Sequence, residues 1–193
     1  MKILCLFHNK CALSLFNWLE QEGHETVLWS EALKKEWCQE QQFDLAVSYT
    51  YRFILSDEIL GLLHDNAVNL HNSYLPWNRG SDPNLWSIVE GTPRGVSLHY
   101  MEPGLDKGAI IAQKLVPLMP DDTLKSSYEK LDIAAQEQFR QAFQWYPYWK
   151  QMKKYPIGGG SYHTVKDGAI FREIIETYDM PVKEFRRRVL MKK

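Results

Sequence analysis

The sequence predicts a single α/β domain: a twisted, mostly parallel sheet with helices on both faces. Two observations carry this prediction. Short, nearly continuous apolar runs alternate with segments whose apolar residues recur at helical spacing, as in parallel sheets with crossover helices. Two later runs flank a glycine-bounded turn at 104–108, which is typical of paired strands added to such a sheet. At 193 residues the chain has the length of one domain with a sizeable core.

The first seventy or so residues supply four strands and three helices in alternation. Strands that are buried on both faces lack polar alternation, so nearly all-apolar runs indicate them. We predict strands at 2–8, 25–29, 43–48 and 66–71. We predict helices at 12–22, at 30–41 as a short polar helix, and at 57–64. This order implies right-handed crossovers and therefore parallel neighbours.

The rest of the chain predicts a strand pair followed by a helical part. Alternating residues at 96–100 and 109–115 indicate two strands that extend the sheet. A capping sequence at 121–123 opens a helix that runs to about residue 144. We therefore expect one domain over 1–193, with its core at about 1–145 and a C-terminal loop, hairpin and helix over 146–193. The basic, amphipathic end at 183–193 indicates a docked helix, with anion binding or self-association, as in a homodimer, as the alternative.

Composition and charge exclude several classes of protein. The formal net charge of −1 provides no basic field, so we expect no nucleic-acid partner. Three cysteines without paired spacing predict neither a disulfide framework nor a zinc site, and we expect no metal. The N-terminal apolar run is too short for a signal peptide, and no stretch approaches a membrane-spanning length. These features predict no membrane insertion and a cytoplasmic location.

The strand at 66–71 ends in polar residues suited to catalysis. Asn69 and His71 lie two apart, so a pleated backbone directs both side chains to one face, which opens onto a turn-rich loop at 72–76. Asp106 joins them if the chain folds back. An amide, an imidazole and a carboxylate can bind and deprotonate an attacking amine and stabilise a developing oxyanion. Each residue taken alone is more often an ordinary turn or surface residue.

These residues resemble the active-site motifs of the formyltransferases that use 10-formyltetrahydrofolate. In that family the patterns Asn-x-His-x-Ser-x-Leu-Pro, Arg/Lys-Gly and Leu-Asp-x-Gly follow one another. The chain carries all three in that order, and the matching residues are Asn69, His71, Ser73, Leu75, Pro76, Arg79, Gly80, Leu105, Asp106 and Gly108. The resemblance implies a formyltransferase-like, Rossmann-type fold and a catalytic set of Asn69, His71 and Asp106. It leaves open whether Asp106 orients the imidazole, binds the amine or accepts its proton.

The same resemblance implies a binding site for the formyl donor, 10-formyltetrahydrofolate. In related enzymes the pterin lies between a segment after the third strand and the loop before the catalytic aspartate. The matching residues are Phe53, Ile54 and Leu55 in the first segment, and Met101, Gly104 and Leu105 in the second. Apolar walls with a few directed backbone groups suit a small-molecule pocket. For Phe53 and Ile54, packing into the core is the alternative.

The acceptor implied by the resemblance is the amine of a nucleotide-linked amino sugar. The segment 7–12 lacks the glycine-rich phosphate loop of the glycinamide-ribonucleotide enzymes, and the chain leaves no room for the second domain of the methionyl-tRNA enzymes. Small sugar N-formyltransferases are similar in the segments that would bind this substrate, namely at Ser73, Tyr74, Trp77, Asn78, Arg79, Gly80 and His163. For the tryptophans, core packing is the alternative.

Other functions stay open from the sequence alone. One is formylation of a different amine, either glycinamide ribonucleotide or an aminoacyl or peptidyl group. Another is a non-catalytic folate-binding formyl domain, although no residue of the catalytic pattern is missing. A short form of the family is also consistent with surface polysaccharide biosynthesis in bacteria, including routes to nonulosonic acids such as pseudaminic acid, an inference by analogy with the family alone.

Overall fold

A six-stranded twisted sheet forms the centre of the molecule in the computed structural model, which describes residues 1–192. Its strands are β1 (Lys2–Phe7), β2 (Glu25–Trp29), β3 (Leu45–Tyr49), β4 (Ala67–His71), β6 (Gly95–Tyr100) and β7 (Ile110–Leu115), in the order β2-β1-β3-β4-β6-β7. The first four are parallel, and β6 and β7 add antiparallel neighbours. Two short strands, β5 (Arg79–Gly80) and β8 (Tyr162–His163), pair separately.

Helices cover both faces of the sheet, which confirms the predicted fold class. They are α1 (Leu13–Gln21), α2 (Lys35–Glu40), α3 (Asp57–Leu62), α4 (Pro83–Glu90), α5 (Leu124–Phe143), α6 (Trp149–Met152), α7 (Ala169–Ile174) and α8 (Val182–Lys192). On one face, Phe16 of α1 and Phe139 of α5 pack with Val47 of β3. On the other, Ile59 of α3 packs with Leu4 of β1. Alternate residues of each buried strand thus fill two separate cores.

Helix α4 has no counterpart in the sequence prediction. Residues Asn84 to Val89 are all buried, so the segment shows no apolar stripe against a polar face. The local start signal is Pro83 at the first turn. The predicted polar helix at 30–41 is also shorter than expected and spans only Lys35–Glu40.

The C-terminal region differs from the expected loop, hairpin and helix. Its strand β8 pairs in parallel with the distant β5, and no returning strand forms a hairpin within the described part of residues 146–193. Backbone hydrogen bonds from Arg79 to Ser161 and from Ser81 to His163 hold the two segments together. The final helix docks as predicted, because Phe185 and Val189 of α8 are fully buried against α4 and α7. No helix among residues 1–192 is long and apolar enough to cross a membrane.

Candidate active site

The antiparallel pairing of β4 with β6 places three polar side chains together. Asn69 and His71 share one face of β4, and the register sets Asn69 opposite His99 of β6. The Asn69 amide nitrogen Nδ2 lies 3.3 Å from His99 Nε2. His71 and His99 are buried, with their rings 6.3 Å apart and nearly perpendicular. Two imidazoles and an amide therefore meet at the end of the central strands.

Asp106 reaches this cluster from the loop between β6 and β7. Its backbone adopts a left-handed conformation, with φ of 51°, which turns the side chain back towards the sheet. One carboxylate oxygen lies 3.5 Å from His71 Nε2 and accepts a 2.8 Å hydrogen bond from the Gly80 amide. The other lies 3.5 Å from both His99 Nε2 and Asn69 Nδ2. The carboxylate is 10% exposed and is surrounded by potential donors.

This environment keeps the carboxylate ionised. Burial raises the pKa of Asp106, but His71, His99 and the Gly80 amide together outweigh it, so the pKa lies well below its ordinary value. The hydrogen positions on the two imidazoles follow from their neighbours. His99 Nδ1 lies 2.8 Å from the Tyr100 carbonyl oxygen, and His71 Nε2 lies 3.1 Å from that of Asn78. A carbonyl only accepts, so each of these nitrogens carries a hydrogen.

Two cavities open from this cluster on different sides. The first, which we call the loop cavity, has a volume of about 530 Å³ and is bounded by the segment 51–55 and the loop 101–106. The second, the α5 cavity, has a volume of about 670 Å³ and is bounded by α5 and the end of β3. Asn69, His71 and Gly80 line both cavities. A group held in one cavity can therefore approach a group held in the other beside the same polar side chains.

Comparisons with known proteins agree with this arrangement. The family model described as formyl transferase matches residues 17–143.

The chain belongs to the formyl transferase family.

It is therefore an enzyme that transfers a formyl group. A similar solved structure is that of the formyltransferase PseJ from Anoxybacillus kamchatkensis, at 35% identity and a TM-score of 0.84, with 96% of this chain and 97% of that chain covered.

More distant structures share the fold alone. A 4-N formyltransferase from Francisella tularensis is 18% identical, with a TM-score of 0.79 over 96% of this chain and 86% of that chain. Phosphoribosylglycinamide formyltransferase from Bacillus halodurans is 19% identical, with a TM-score of 0.66 over 76% of this chain and 95% of that chain. The same scaffold therefore serves different acceptors, and the acceptor must be argued from the site.

The residues predicted to bind the formyl donor all line the loop cavity. Phe53, Ile54, Leu55, Met101, Gly104 and Leu105 belong to its walls. Ile54 is 74% exposed, so it does not pack into the core, whereas Leu55 is buried. The cavity also has a wall formed by residues 162–165 after β5 and β8 pair, of which the sequence indicated only His163. The C-terminal region of this formyltransferase thus closes one side of the cavity.

The residues predicted to bind the acceptor form two groups: some line the cavities and the others lie outside them. Gly80 lines both cavities, and His163 lines the loop cavity. The side chain of His163 stacks on Trp86, with ring centroids 3.9 Å apart, and its Nε2 lies 3.3 Å from a Glu90 carboxylate oxygen. The buried indole of Trp86 thus packs inside the protein, as the alternative interpretation expected.

Five other predicted acceptor residues lie outside the walls of both cavities: Ser73, Tyr74, Trp77, Asn78 and Arg79. Asn78 is fully buried, bonds Thr92 and Ser161 through its side-chain amide, and presents its carbonyl oxygen to His71. The Ser73 hydroxyl donates to the Trp77 carbonyl oxygen. The polar groups of Ser73 and Asn78 hold the tight loop after β4 and His71 in place, whereas acceptor contacts by Tyr74, Trp77 and Arg79 stay predictions.

His99 is the site residue that sequence reasoning missed. The segment 96–100 is predicted as an alternating strand, but without its partner strand the sequence does not indicate which of its side chains lie beside Asn69 and His71. The available signal was the shared face: in an antiparallel pair beside β4, one alternate set of residues must join Asn69 and His71. The register that selects His99 is a property of the folded sheet.

Proposed function

We propose that this enzyme transfers a formyl group from 10-formyltetrahydrofolate to the amine of a nucleotide-linked amino sugar. One observation carries the choice of substrates. The PseJ structure, 35% identical over 96% of this chain, is a complex with UDP-4,6-dideoxy-4-formamido-L-AltNAc and tetrahydrofolate. That complex pairs a formamido sugar with a deformylated folate. The alignment with PseJ covers nearly all of both chains, which supports assigning both substrate classes to this protein.

The loop cavity fits the folate. Its volume of about 530 Å³ lies within the range of small-molecule pockets. Ile54 and Leu105 leave apolar surface uncovered at 74% and 38% exposure, which a flat aromatic ring system would cover. The folate supplies the formyl carbon to the reaction. Phe53, Leu55 and Met101 provide the remaining apolar wall, and the backbone at Gly104 offers polar groups to the ring edge.

The α5 cavity takes the acceptor in this proposal, so that its amine meets the formyl group beside the residues that line both cavities. Asn69 donates a hydrogen bond to the charge that develops on the formyl oxygen, and His71 lies beside it with its Nε2 hydrogen held by the Asn78 carbonyl oxygen. Asp106 orients both imidazoles through its two carboxylate oxygens. It accepts a proton from the amine as that nitrogen becomes positively charged, and it returns the proton to the folate nitrogen whose bond to the formyl carbon breaks. His99 holds Asp106 and Asn69 in place from the neighbouring strand.

Replacing Asn69 with alanine is expected to lower kcat by about 10²- to 10³-fold, the usual cost of removing one preorganised donor to an oxyanion. The apparent affinity for the folate should change little, because the apolar walls of the loop cavity are intact. Steady-state kinetics with varied folate measure both quantities. Asn17→Ala, an exposed asparagine on α1, is the matched control and should retain wild-type turnover. A kcat within about threefold of wild type for Asn69→Ala would remove the assigned role.

The substrate proposal is tested by turnover on a panel of amines. Purified protein is incubated with 10-formyltetrahydrofolate and one acceptor at a time, and release of tetrahydrofolate is followed. The panel contains UDP- and dTDP-linked amino sugars, glycinamide ribonucleotide and a free amino sugar. We expect turnover on one or more nucleotide-linked sugars and none on glycinamide ribonucleotide. Turnover confined to glycinamide ribonucleotide contradicts the proposed acceptor while leaving the formyltransferase assignment in place.

A further inference from the structure

A carboxylate on α5 faces the α5 cavity and accepts hydrogen bonds from Tyr49, Asn72 and the Cys11 thiol. Asp132 lies on the same helical stripe as Lys125, Tyr128 and Glu129, all of which line the cavity. The Tyr49 hydroxyl donates to Asp132 Oδ1, and Asn72 Nδ2 donates to the same oxygen at 3.3 Å. Asn72 directly follows His71, so this contact joins α5 to the catalytic strand end.

The Tyr49 hydroxyl remains a hydrogen-bond donor to Asp132 because it is buried. Tyr49 is 1% exposed, and burial together with the charge of Asp132 raises the pKa of its hydroxyl far above the ordinary value. The hydroxyl therefore keeps its hydrogen at any working pH. Because Tyr49 and Asn72 both donate to Oδ1 of Asp132, they fix the orientation of this carboxylate. A carboxylate fixed in this way presents its remaining acceptor capacity to a ligand without an entropic cost for ordering it.

The Asn72 side chain, which donates to Asp132, also carries a buried acceptor. Its Oδ1 atom is buried, and no hydrogen-bond partner for it is found within residues 1–192. A buried acceptor without a partner is unfavourable by about 1–3 kcal/mol, so such atoms commonly mark a missing water or ligand. Asp132 thus presents an acceptor to the cavity, and the group that complements it carries an O–H or N–H.

The charges of the cavity show which part of a nucleotide-linked sugar belongs there. Asp82, Glu129 and Asp132 are acidic, and Lys125 is the one lysine or arginine that lines the cavity among the described residues. A diphosphate beside Asp132 would place like charges in contact, which is strongly unfavourable in a partly desolvated site. Hydroxyl and amide groups on a sugar ring are neutral donors and match the Asp132 acceptor. The sugar ring therefore belongs on this wall, and the phosphates lie away from it.

We propose that Asp132, positioned by Tyr49 and Asn72, is a specificity-determining residue that accepts a hydrogen bond from an O–H or N–H group on the sugar ring of the acceptor. This inference rests on the proposed function, because it places the acceptor in the α5 cavity. The contact sets the orientation of the ring and, through it, the approach of the amine to the residues shared by the two cavities. Sugars that lack the donor at that ring position are poor substrates.

Asp132→Asn tests the proposal. Its amide oxygen can keep the Tyr49 hydrogen bond, which turns the NH₂ group towards the cavity and replaces an acceptor with a donor. We expect KM for the nucleotide-linked amino sugar to rise by about 10- to 100-fold, the cost of a lost hydrogen bond to a charged group. The KM for 10-formyltetrahydrofolate and the melting temperature should stay near wild type. Asp121→Asn, an exposed position just before α5, is the matched control.

An acceptor analogue completes the test. Removing the donor group from the sugar, as a deoxy compound, should weaken wild-type turnover strongly and should weaken Asp132→Asn much less, because the charged acceptor is already lost. If Asp132→Asn retains wild-type KM for the full acceptor, the inference is wrong. A joint loss of folate affinity and melting temperature also overturns it, since Asp132 would then be purely structural. If the wild-type enzyme formylates no amino sugar, it is the proposed function that fails.

Discussion

Asp106→Asn is expected to lower kcat by about 10²- to 10⁴-fold without changing the fold. A decrease of this size is typical when a positioned general acid or base is lost. The reason is geometric. One carboxylate oxygen faces His99 and Asn69, and the other faces His71 and the Gly80 amide. An asparagine amide must turn its NH₂ group towards one of these donors. The variant therefore loses the negative charge and also introduces two donors that face each other. Single-turnover kinetics, together with circular dichroism, separate the rate effect from unfolding.

A matched substitution exists for this test. Asp65 has nearly the same left-handed backbone, with φ of 55° against 51° at Asp106, and is exposed. Asp65→Asn therefore makes the same chemical change at the same backbone conformation away from the site, and its kcat should equal that of wild type. Comparable rates for Asp106→Asn and Asp65→Asn would contradict the catalytic assignment.

The depressed pKa of Asp106 also sets the sign of its pH dependence. A carboxyl group whose pKa is lower in the folded protein contributes stability above its ordinary value of about 4, and this contribution is lost only as the pH falls through the depressed value. Between about pH 5 and about pH 8 the carboxylate stays ionised. The contribution of Asp106 to the free energy of unfolding should accordingly be lost only on acidification below about pH 4, and denaturant titrations of wild type and Asp106→Asn in that range measure it.

Gly80→Ala is expected to lower kcat/KM by about 100-fold and to weaken folate binding, because a displacement of about 1 Å at a catalytic group has effects of this size. A Cβ atom at this position would lie 2.3 Å from the His163 carbonyl oxygen, and φ is 87°, where only glycine is unstrained. The clash separates β5 from β8. The Gly80 amide then shifts away from Asp106, and residues 162–165 move from the wall of the loop cavity.

The contribution of backbone strain alone can be measured separately. Gly158 has almost the same conformation, with φ of 85°, and a Cβ there would meet no atom within 4 Å. Gly158→Ala therefore carries the strain without the clash and should retain turnover, with at most a small loss of thermal stability. If Gly80→Ala and Gly158→Ala lose activity to the same extent, the link between the β5–β8 pair and the catalytic carboxylate is wrong.

Much of the fold was predictable because its strands carry strong local patterns. The apolar runs around β1, β3 and β4 and the helical periodicity of α5 identify these elements within a few residues. Helix α4 was missed because it is buried on every side, so that neither an apolar stripe nor an alternation marks it. The prediction of a C-terminal hairpin is wrong for a related reason. The strand β8 pairs with β5, which lies about eighty residues earlier, and no local turn signal indicates such a distant partner.

Local sequence patterns place Asn69 and His71 on one face of a strand and Asp106 in a turn able to return to them, and the three residues match a family pattern. These properties follow from strand periodicity and from motif order, which are local. The folded sheet and its loops, by contrast, place His99 in the cluster, use the polar groups of Ser73 and Asn78 to hold the loop after β4, and turn Asp132 towards the second cavity. Those assignments depend on register and packing between elements distant in the chain, where a shift of one residue would present a different side chain.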